Sequence, residues 1–140
     1  MALAQGLCSS FKQESWLGVH DLETDTLKMA LYTSAASLGA DTTVYTTTEE
    51  VSGTGYTAGG VVLTGVQVLL SNTAYSAYCT FDNPTWSGVS FVVRGALIYN
   101  ASKSDKAIAV LDFGADKTAG PNFTIQLPVA TATTALLRFN

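Results

Sequence analysis

The stretch "VSFVVRGALIYN", residues 89–100, gives the strongest indication of the fold. In an extended chain, Phe91 and Val93 lie on one side and Val92 and Arg94 on the other, so the side chains alternate with a period of two. Branched and aromatic residues at this spacing are typical of β-structure. The segment therefore predicts a long β-strand.

Six further segments have the same period and a similar composition. They are "DTLKMALYT" (25–33), "GVVLTGVQVLLS" (60–71), "AYSAYCTFD" (74–82), "KAIAVLDFG" (106–114), "NFTIQLPV" (122–129) and "TALLRFN" (134–140). Turn-forming residues fill the connections "DNPTWSG" (82–88), "NASKSD" (100–105) and "GADKTAGPN" (114–122). Seven closely spaced strands, with no long helical pattern between any two, predict an all-β fold, either a β-sandwich or a jelly roll.

A short helix is expected before the first strand. In "FKQESWLG" (11–18) the apolar residues follow helical spacing, Ser9 or Ser10 can cap the start, and Gly18 can end it. A helix of two turns is stable only when its apolar side docks on the rest of the protein. We expect one domain over residues 1–140, with a helical N-terminal segment (1–24) and a β-sandwich (25–140).

The segment 34–60, rich in Thr and Gly, is the exception to the pattern of short turns. It is much longer than an ordinary connection of about 4–6 residues, and such loops usually carry a function or have local structure. Three alternatives stay open for its Thr-rich middle: a short edge strand, a helical turn near "TTTEEV", or an arm that becomes ordered against a partner.

Charged residues make up only 13% of the chain, against about 25% in a typical soluble domain. The net charge is −4 and the seven Lys and Arg residues are scattered, which argues against nucleic acid and anionic membranes as partners. The N-terminus lacks the basic and apolar regions of a secretory signal, so we expect synthesis in a cytosol. A surface so poor in charge indicates a protein that is partly covered by its neighbours.

The two cysteines are too few for a disulfide framework. Cys79 alternates with Tyr75, Ala77 and Phe81 in a predicted strand, where a buried cysteine acts as a small apolar residue. The alternatives are a reactive thiol or a bond to Cys8.

Gly53, Gly55 and Ala58 match the spacing of a dinucleotide-binding turn. That turn requires a helix N-terminus directly after it, because the free N–H groups of the helix bind the pyrophosphate. Here a strand pattern follows, so the glycines indicate a chain reversal with positive-φ positions, and we expect no nucleotide cofactor.

The segment "HDLETD" (20–25) combines one histidine with three carboxylates, which could ligate a divalent ion or support acid–base catalysis. It lacks the spacing of a calcium loop. His20 is the only histidine in the chain, so it alone could serve a zinc site or form a catalytic pair with Cys8 or Cys79. No serine nucleophile motif is present. We therefore expect no catalytic residues, no metal and no enzymatic activity.

Four segments in sequence, spanning residues 28–114, resemble small virion structural proteins of tailed bacteriophages. They are "KMALYTSAASLGADTTVYTTTEEVSGTGYTAGGVVLTG", "PTWS", "RGALIYN" and "VLDFG". The resemblance implies a β-rich particle component without enzymatic activity. It implies scaffold roles at Gly53, Gly55, Tyr56, Gly59, Gly60, Trp86, Arg94 and Gly95.

Within that family, the first expectation is a capsid decoration (cement) protein in the virion. It would bind the major capsid protein on the outer head surface as a homo-oligomer, with a trimer as the expected form, since closed assembly covers sheet edges. A tail, connector or fibre-associated protein is the second expectation. A β-sandwich that binds or hydrolyses host glycans through Trp16, Trp86 or a tyrosine is the third.

Overall fold

The computed structural model describes residues 3–127 and 136–139. It is 46% strand and 6% helix, which confirms the all-β prediction. The helix α1 spans Ser9–Trp16. The strands are β1 (Gly6–Leu7), β2 (Leu27–Tyr32), β3 (Val61–Val62), β4 (Gln67–Ser71), β5 (Ser76–Thr80), β6 (Thr85–Ser87), β7 (Phe91–Asn100), β8 (Lys106–Ala119), β9 (Asn122–Thr124) and β10 (Leu137–Phe139).

The strands form three antiparallel sheets. The largest has the order β1-β8-β7-β2-β3, a smaller one has the order β10-β5-β4, and β6 pairs with β9. β2 and β7 pair over their full overlap, from Leu27 opposite Asn100 to Tyr32 opposite Gly95. The fold is therefore sandwich-like and all-β.

The core lies at the centre of the large sheet. Met29 and Leu31 on one face of β2, and Ala30 and Tyr32 on the other, are all fully buried. Both faces are covered because α1, the small sheet and the long loop pack around the large sheet. Fully burying one large apolar side chain contributes about 1.5–3 kcal/mol, so this region dominates the stability.

The predicted helix is present, but its start and its buried side differ from the prediction. Cys8 occupies the N-cap position with no side-chain cap, so Ser9 and Ser10 do not cap the helix but form its first turn. Only Phe11 is buried, whereas the side chain of Trp16 is 92% exposed. The residues before α1 also form β1, which extends the large sheet beside β8 and which the sequence pattern did not reveal.

Three strand boundaries were predicted wrongly. The segment 60–71 is two strands, because Gly65 has a φ of +66° and ends the extended run between β3 and β4. The expected turn 82–88 contains β6. The expected turn 114–122 is largely strand, because β8 continues past a bulge at residues 113–116 and pairs again with β7.

The turn between β7 and β8 and the last two strands are closer to the prediction from the sequence. Residues 101–105 form the predicted turn between β7 and β8. The predicted strands 122–129 and 134–140 are shorter, at β9 and β10, and residues 128–135 and 140 lie outside the described part of the chain. Among the described residues, no helix has the length and apolar character needed to cross a membrane.

Candidate functional site

The long loop 34–60 is held against the large sheet by backbone contacts at its glycines. Thr54 forms a β-bridge with Ser90, and a Cβ at Gly53 would lie 2.8 Å from the carbonyl oxygen of Ser90. A Cβ at Gly55, where φ is +82°, would lie 2.5 Å from the carbonyl oxygen of Gly88. These glycines allow close packing of the loop on the chain that enters β7.

Gly59 and Gly60 pack at the other side of the loop, on β2. Both have positive φ, +97° and +81°. A Cβ at Gly60 would overlap the carbonyl group of Met29, and one at Gly59 would lie 3.3 Å from Tyr99 Oη. β3 follows directly, so the turn leads into a strand and not into the helix that a dinucleotide site requires.

The carboxylate of Glu50 organises this loop. It accepts hydrogen bonds from Tyr45 Oη (2.6 Å), Tyr56 Oη (2.5 Å) and Gly59 N (2.7 Å). Tyr56 Oη also accepts a hydrogen bond from Leu31 N (2.9 Å) in β2. Tyr56 thus joins the loop to the sheet.

The tyrosines around Glu50 are shifted towards their protonated forms. Tyr45 stacks on Tyr99 with ring centroids 4.6 Å apart, and Tyr99 Oη donates to Gly59 O (2.6 Å). Burial, and then the charges of Asp105 and Glu50, raise the pKa of Tyr99 to about 12. Burial and the hydrogen bond to Glu50 raise the pKa of Tyr56 further.

These shifts predict a loss of stability in alkali. A tyrosine whose pKa is raised by folding stabilises the protein fully below its ordinary pKa of about 10, and this contribution is lost as the pH rises through the folded pKa. We expect the urea midpoint to fall steadily between about pH 10 and 12. An unchanged midpoint across this range, followed by intrinsic fluorescence, would show that the tyrosine cluster does not stabilise the fold.

The remaining residues for which the resemblance implied scaffold roles are spread over the large sheet and the β6–β9 pair. Trp86 is buried beside Phe123, with ring centroids 5.9 Å apart, so its indole cannot stack on a sugar. Arg94 Nε bonds Asp112 Oδ1 at 3.0 Å, across from the bulge in β8. Gly95 leaves room for the carbonyl oxygen of Leu111 and the side chain of Leu3.

In the acidic segment 20–25, His20 and Asp25 both contact Asn100 Nδ2, but Glu23 is directed to β4. His20 Nε2 contacts Glu14 Oε1 at 2.9 Å, whereas Glu23 Oε2 accepts a hydrogen bond from Val68 N and Asp25 Oδ2 accepts one from Asn100 Nδ2. In residues 3–127 and 136–139, no three His, Cys, Asp or Glu side chains are grouped so that they could hold a metal ion. The arrangement connects segments of the chain.

Both cysteines are free and buried, and Cys79 lies in β5 as expected. Burial is the main reason that the pKa of each thiol rises to about 11. Because the thiolate is the reactive form, we expect neither thiol to react with Ellman's reagent at pH 8 in the native protein. In denaturant both should react, giving two equivalents per chain, and rapid reaction of one native thiol would contradict the burial described here.

The candidate functional site is the outer edge of the small sheet. β4 is an edge strand, and its residues Val68, Leu69 and Leu70 are exposed, Leu70 by 71%. Tyr75, in the turn between β4 and β5, extends this exposed apolar area. We call β4 and the β4–β5 turn, residues 67–75, the β4 edge.

The backbone of the β4 edge is available for pairing. Val68 N points away from β5 and donates to Glu23 Oε2 at 3.0 Å. Alternate residues of an antiparallel strand direct their N–H and C=O groups to the same side, so Leu70 presents its backbone groups at the same outer edge. Glu23 therefore covers only the start of the strand.

Sequence reasoning missed the β4 edge because it treated residues 60–71 as one strand that is nearly apolar on both faces, which is typical of a buried strand. The structure exposes those faces at β4. The absence of charge was the available signal, since no charged side chain occurs anywhere in residues 51–81.

Comparison of the chain with protein-family models gives no match, and neither do comparisons with curated proteins and with solved structures.

Proposed function

We propose that the protein is a structural component of a bacteriophage virion, and that it assembles with copies of itself through the β4 edge. The observation that carries this proposal is an exposed, apolar edge strand without a single charged residue. Soluble monomers usually protect such edges with lysines, prolines or bulges, because an open edge pairs with other chains. Here a neighbouring subunit supplies the cover.

Charge favours contact at this surface over any other. Each copy carries a net charge of −4, so two copies repel each other on average. The segment 51–81 contributes none of that charge, and it contains both β4 and β3, the edge strand of the large sheet. Within these two edges no side chain is charged, and the carboxylate of Glu23 lies only at the start of β4, so contact here places few like charges opposite each other.

We propose that the contact is head to tail and that it closes into a trimer. In a ring, the β4 edge of one copy packs on a different surface of the next copy, and closure leaves no open edge. β3 is the matching surface within the uncharged segment, and Val62 on this strand is 53% exposed. We therefore assign the interface to β4 of one copy and β3 of its neighbour.

Within the virion, we propose a capsid decoration protein that contacts the major capsid protein. A low-charge β-domain in a closed trimer offers three identical weak contacts to the capsid. Together they bind more tightly than one contact alone, because the first contact raises the effective concentration of the other two. The placement in a virion follows the resemblance of residues 28–114 to phage virion proteins, and a tail, connector or fibre position is the alternative to the head.

Undecorated heads of the parent phage test this function. Purified protein should cosediment with them saturably, and Leu70→Lys should bind more weakly because the trimer is lost. No binding to heads would contradict the decoration role. A single ring of copies in the tail, seen in a virion reconstruction, would establish the alternative position.

A further inference from the structure

The outer side of β4 offers one residue for pairing with another chain. Leu70 directs its backbone N–H and C=O groups away from β5, as Val68 does two residues earlier. Val68 N already donates to Glu23 Oε2 at 3.0 Å. At the other end of the strand, residues 72–75 form the turn to β5. Within the described part of the chain, Leu70 is therefore the residue of β4 with both outward groups open to a partner.

The carboxylate of Glu23 closes the start of this edge. Because it accepts the hydrogen bond from Val68 N, it occupies the position that a carbonyl oxygen of an incoming strand would take. Glu23 belongs to the segment between α1 and β2, far from β4 in sequence. It therefore limits how far a neighbouring strand can extend along β4.

The edge of β3 has the same kind of opening at Val62. Leu63 N donates to Leu27 O at 2.8 Å, so the backbone groups of Leu63 face β2. Neighbouring residues of an antiparallel strand face opposite sides, so Val62 directs its N–H and C=O groups away from β2. The side chain of Val62 is also exposed.

The residues on either side of Val62 are closed to a partner. Thr64, the next residue with the outward direction, accepts a hydrogen bond from Asp82 N at 2.8 Å. Gly60, two residues before Val62, is not in an extended conformation, since its φ is +81°. Asp82 thus limits the edge of β3 as Glu23 limits the edge of β4.

We propose that Glu23 and Asp82 set the register of self-association, so that Leu70 of one copy pairs antiparallel with Val62 of the next copy. Two residues that face each other in this way exchange both of their backbone hydrogen bonds. A parallel strand would have to offer outward groups from two residues, whereas β3 is open at Val62 alone. This inference rests on the assembly through β4 and β3 proposed above, and it adds the register and the residues that fix it.

A pair of introduced cysteines tests the register. In the double variant Leu70→Cys/Val62→Cys, the facing Cα atoms of two copies should be about 5.5 Å apart, which a disulfide can bridge. In Val68→Cys/Val62→Cys, the shift of two residues increases this distance to about 9 Å, beyond the limit of about 7 Å. The three replaced side chains are exposed, and the native cysteines are buried, so folding and the native thiols should be unaffected.

Under mild oxidation, the first pair should give covalent trimers on a non-reducing gel. The second pair should give at least about tenfold less cross-linked product. Leu70→Cys alone and Val62→Cys alone should not cross-link, because each position meets the other one in a head-to-tail contact.

Glu23→Ala tests the residue that closes β4. It opens Val68 N to a neighbouring strand, so adding it to Val68→Cys/Val62→Cys should produce the cross-link that this pair otherwise lacks. Asp21→Ala is the control, because it removes a charge from the same exposed segment and leaves the hydrogen bond from Val68 N to Glu23 in place. It should not produce the cross-link. Equal results for the two alanine variants would show that Glu23 does not set the register.

The outcomes separate the register from the assembly. If the wild type sediments as a trimer but the cysteines at 70 and 62 cross-link no better than those at 68 and 62, the register is wrong and the assembly stands. Cross-linking of Leu70→Cys to itself in that trimer would also overturn the register. A wild type that is monomeric at all concentrations would contradict both proposals.

Discussion

Gly60→Ala should abolish folding or nearly do so. The new Cβ would overlap the carbonyl group of Met29 and approach Ala30 Cα to 2.8 Å, and both are backbone atoms of the central strand β2. Backbone in a paired strand cannot move aside without breaking the ladder to β7. We expect a loss of more than about 4 kcal/mol, which is most of the stability of a typical domain. Urea unfolding followed by Trp fluorescence measures it.

Gly114→Ala is the matched control. Gly114 has nearly the same φ, +80° against +81°, but a Cβ there meets no atom within 4 Å. Gly114→Ala should therefore lower the free energy of unfolding only by the backbone strain of a positive φ, about 1–2 kcal/mol. If the two variants lose equal stability, the close approach of the loop to β2 is not what requires glycine at position 60.

Glu50→Ala should be the most damaging substitution of a charged residue in the loop. It leaves Tyr45 Oη, Tyr56 Oη and Gly59 N without their acceptor. Hydrogen bonds to a charged group contribute about 1.5–3 kcal/mol each, and partial exposure of the site reduces their sum. We expect a loss of about 3 kcal/mol in urea unfolding, together with faster protease cleavage within residues 34–60.

The neighbouring residue provides the control for that substitution. Glu49 also has a carboxylate in the loop, but it is exposed and its one hydrogen bond, from Thr33 Oγ1, is 3.3 Å long. Glu49→Ala should change stability by no more than about 0.5 kcal/mol. If both variants lose similar stability, the negative charge of the loop matters, and not the hydrogen bonds from the three donors around Glu50.

Local patterns in the sequence were sufficient for the strands that form the core. β2, β5 and β7 were predicted because each contains alternating or continuous apolar residues that are buried in the structure. Such residues form a pattern that can be recognised over a few neighbouring positions in the sequence. β6 was missed because Thr85–Ser87 lies among turn residues and becomes a strand only by pairing with β9, far along the chain. The extension of β8 was missed because Gly114 indicates a turn, while long-range pairing restores the strand beyond it.

The polar residues that connect the long loop and the N-terminal segment to the large sheet could not be predicted from local patterns, for a related reason. Glu50 and Asn100 have no distinctive neighbours in sequence, and Asn100 meets partners as distant as His20 and Asp25 only after folding. By contrast, the glycines that allow the loop to reverse were identified because the ability to adopt a positive φ is a property of glycine itself. Exposure of the β4 edge was missed, since an apolar strand has the same pattern in a core and at an interface, and the absence of charge in residues 51–81 was the one available signal.

The self-association of the chain is tested most directly by sedimentation velocity over a range of concentrations. We expect a trimer for the wild type, and monomers for both Leu70→Lys and Val62→Lys, because each substitution places a charge on one side of the proposed interface. Val92→Lys introduces the same charge at a site that is 52% exposed but outside residues 51–81, and it should remain trimeric. A wild type that stays monomeric at the highest concentrations, or variants that all keep the wild-type mass, would contradict assembly through the β4 edge.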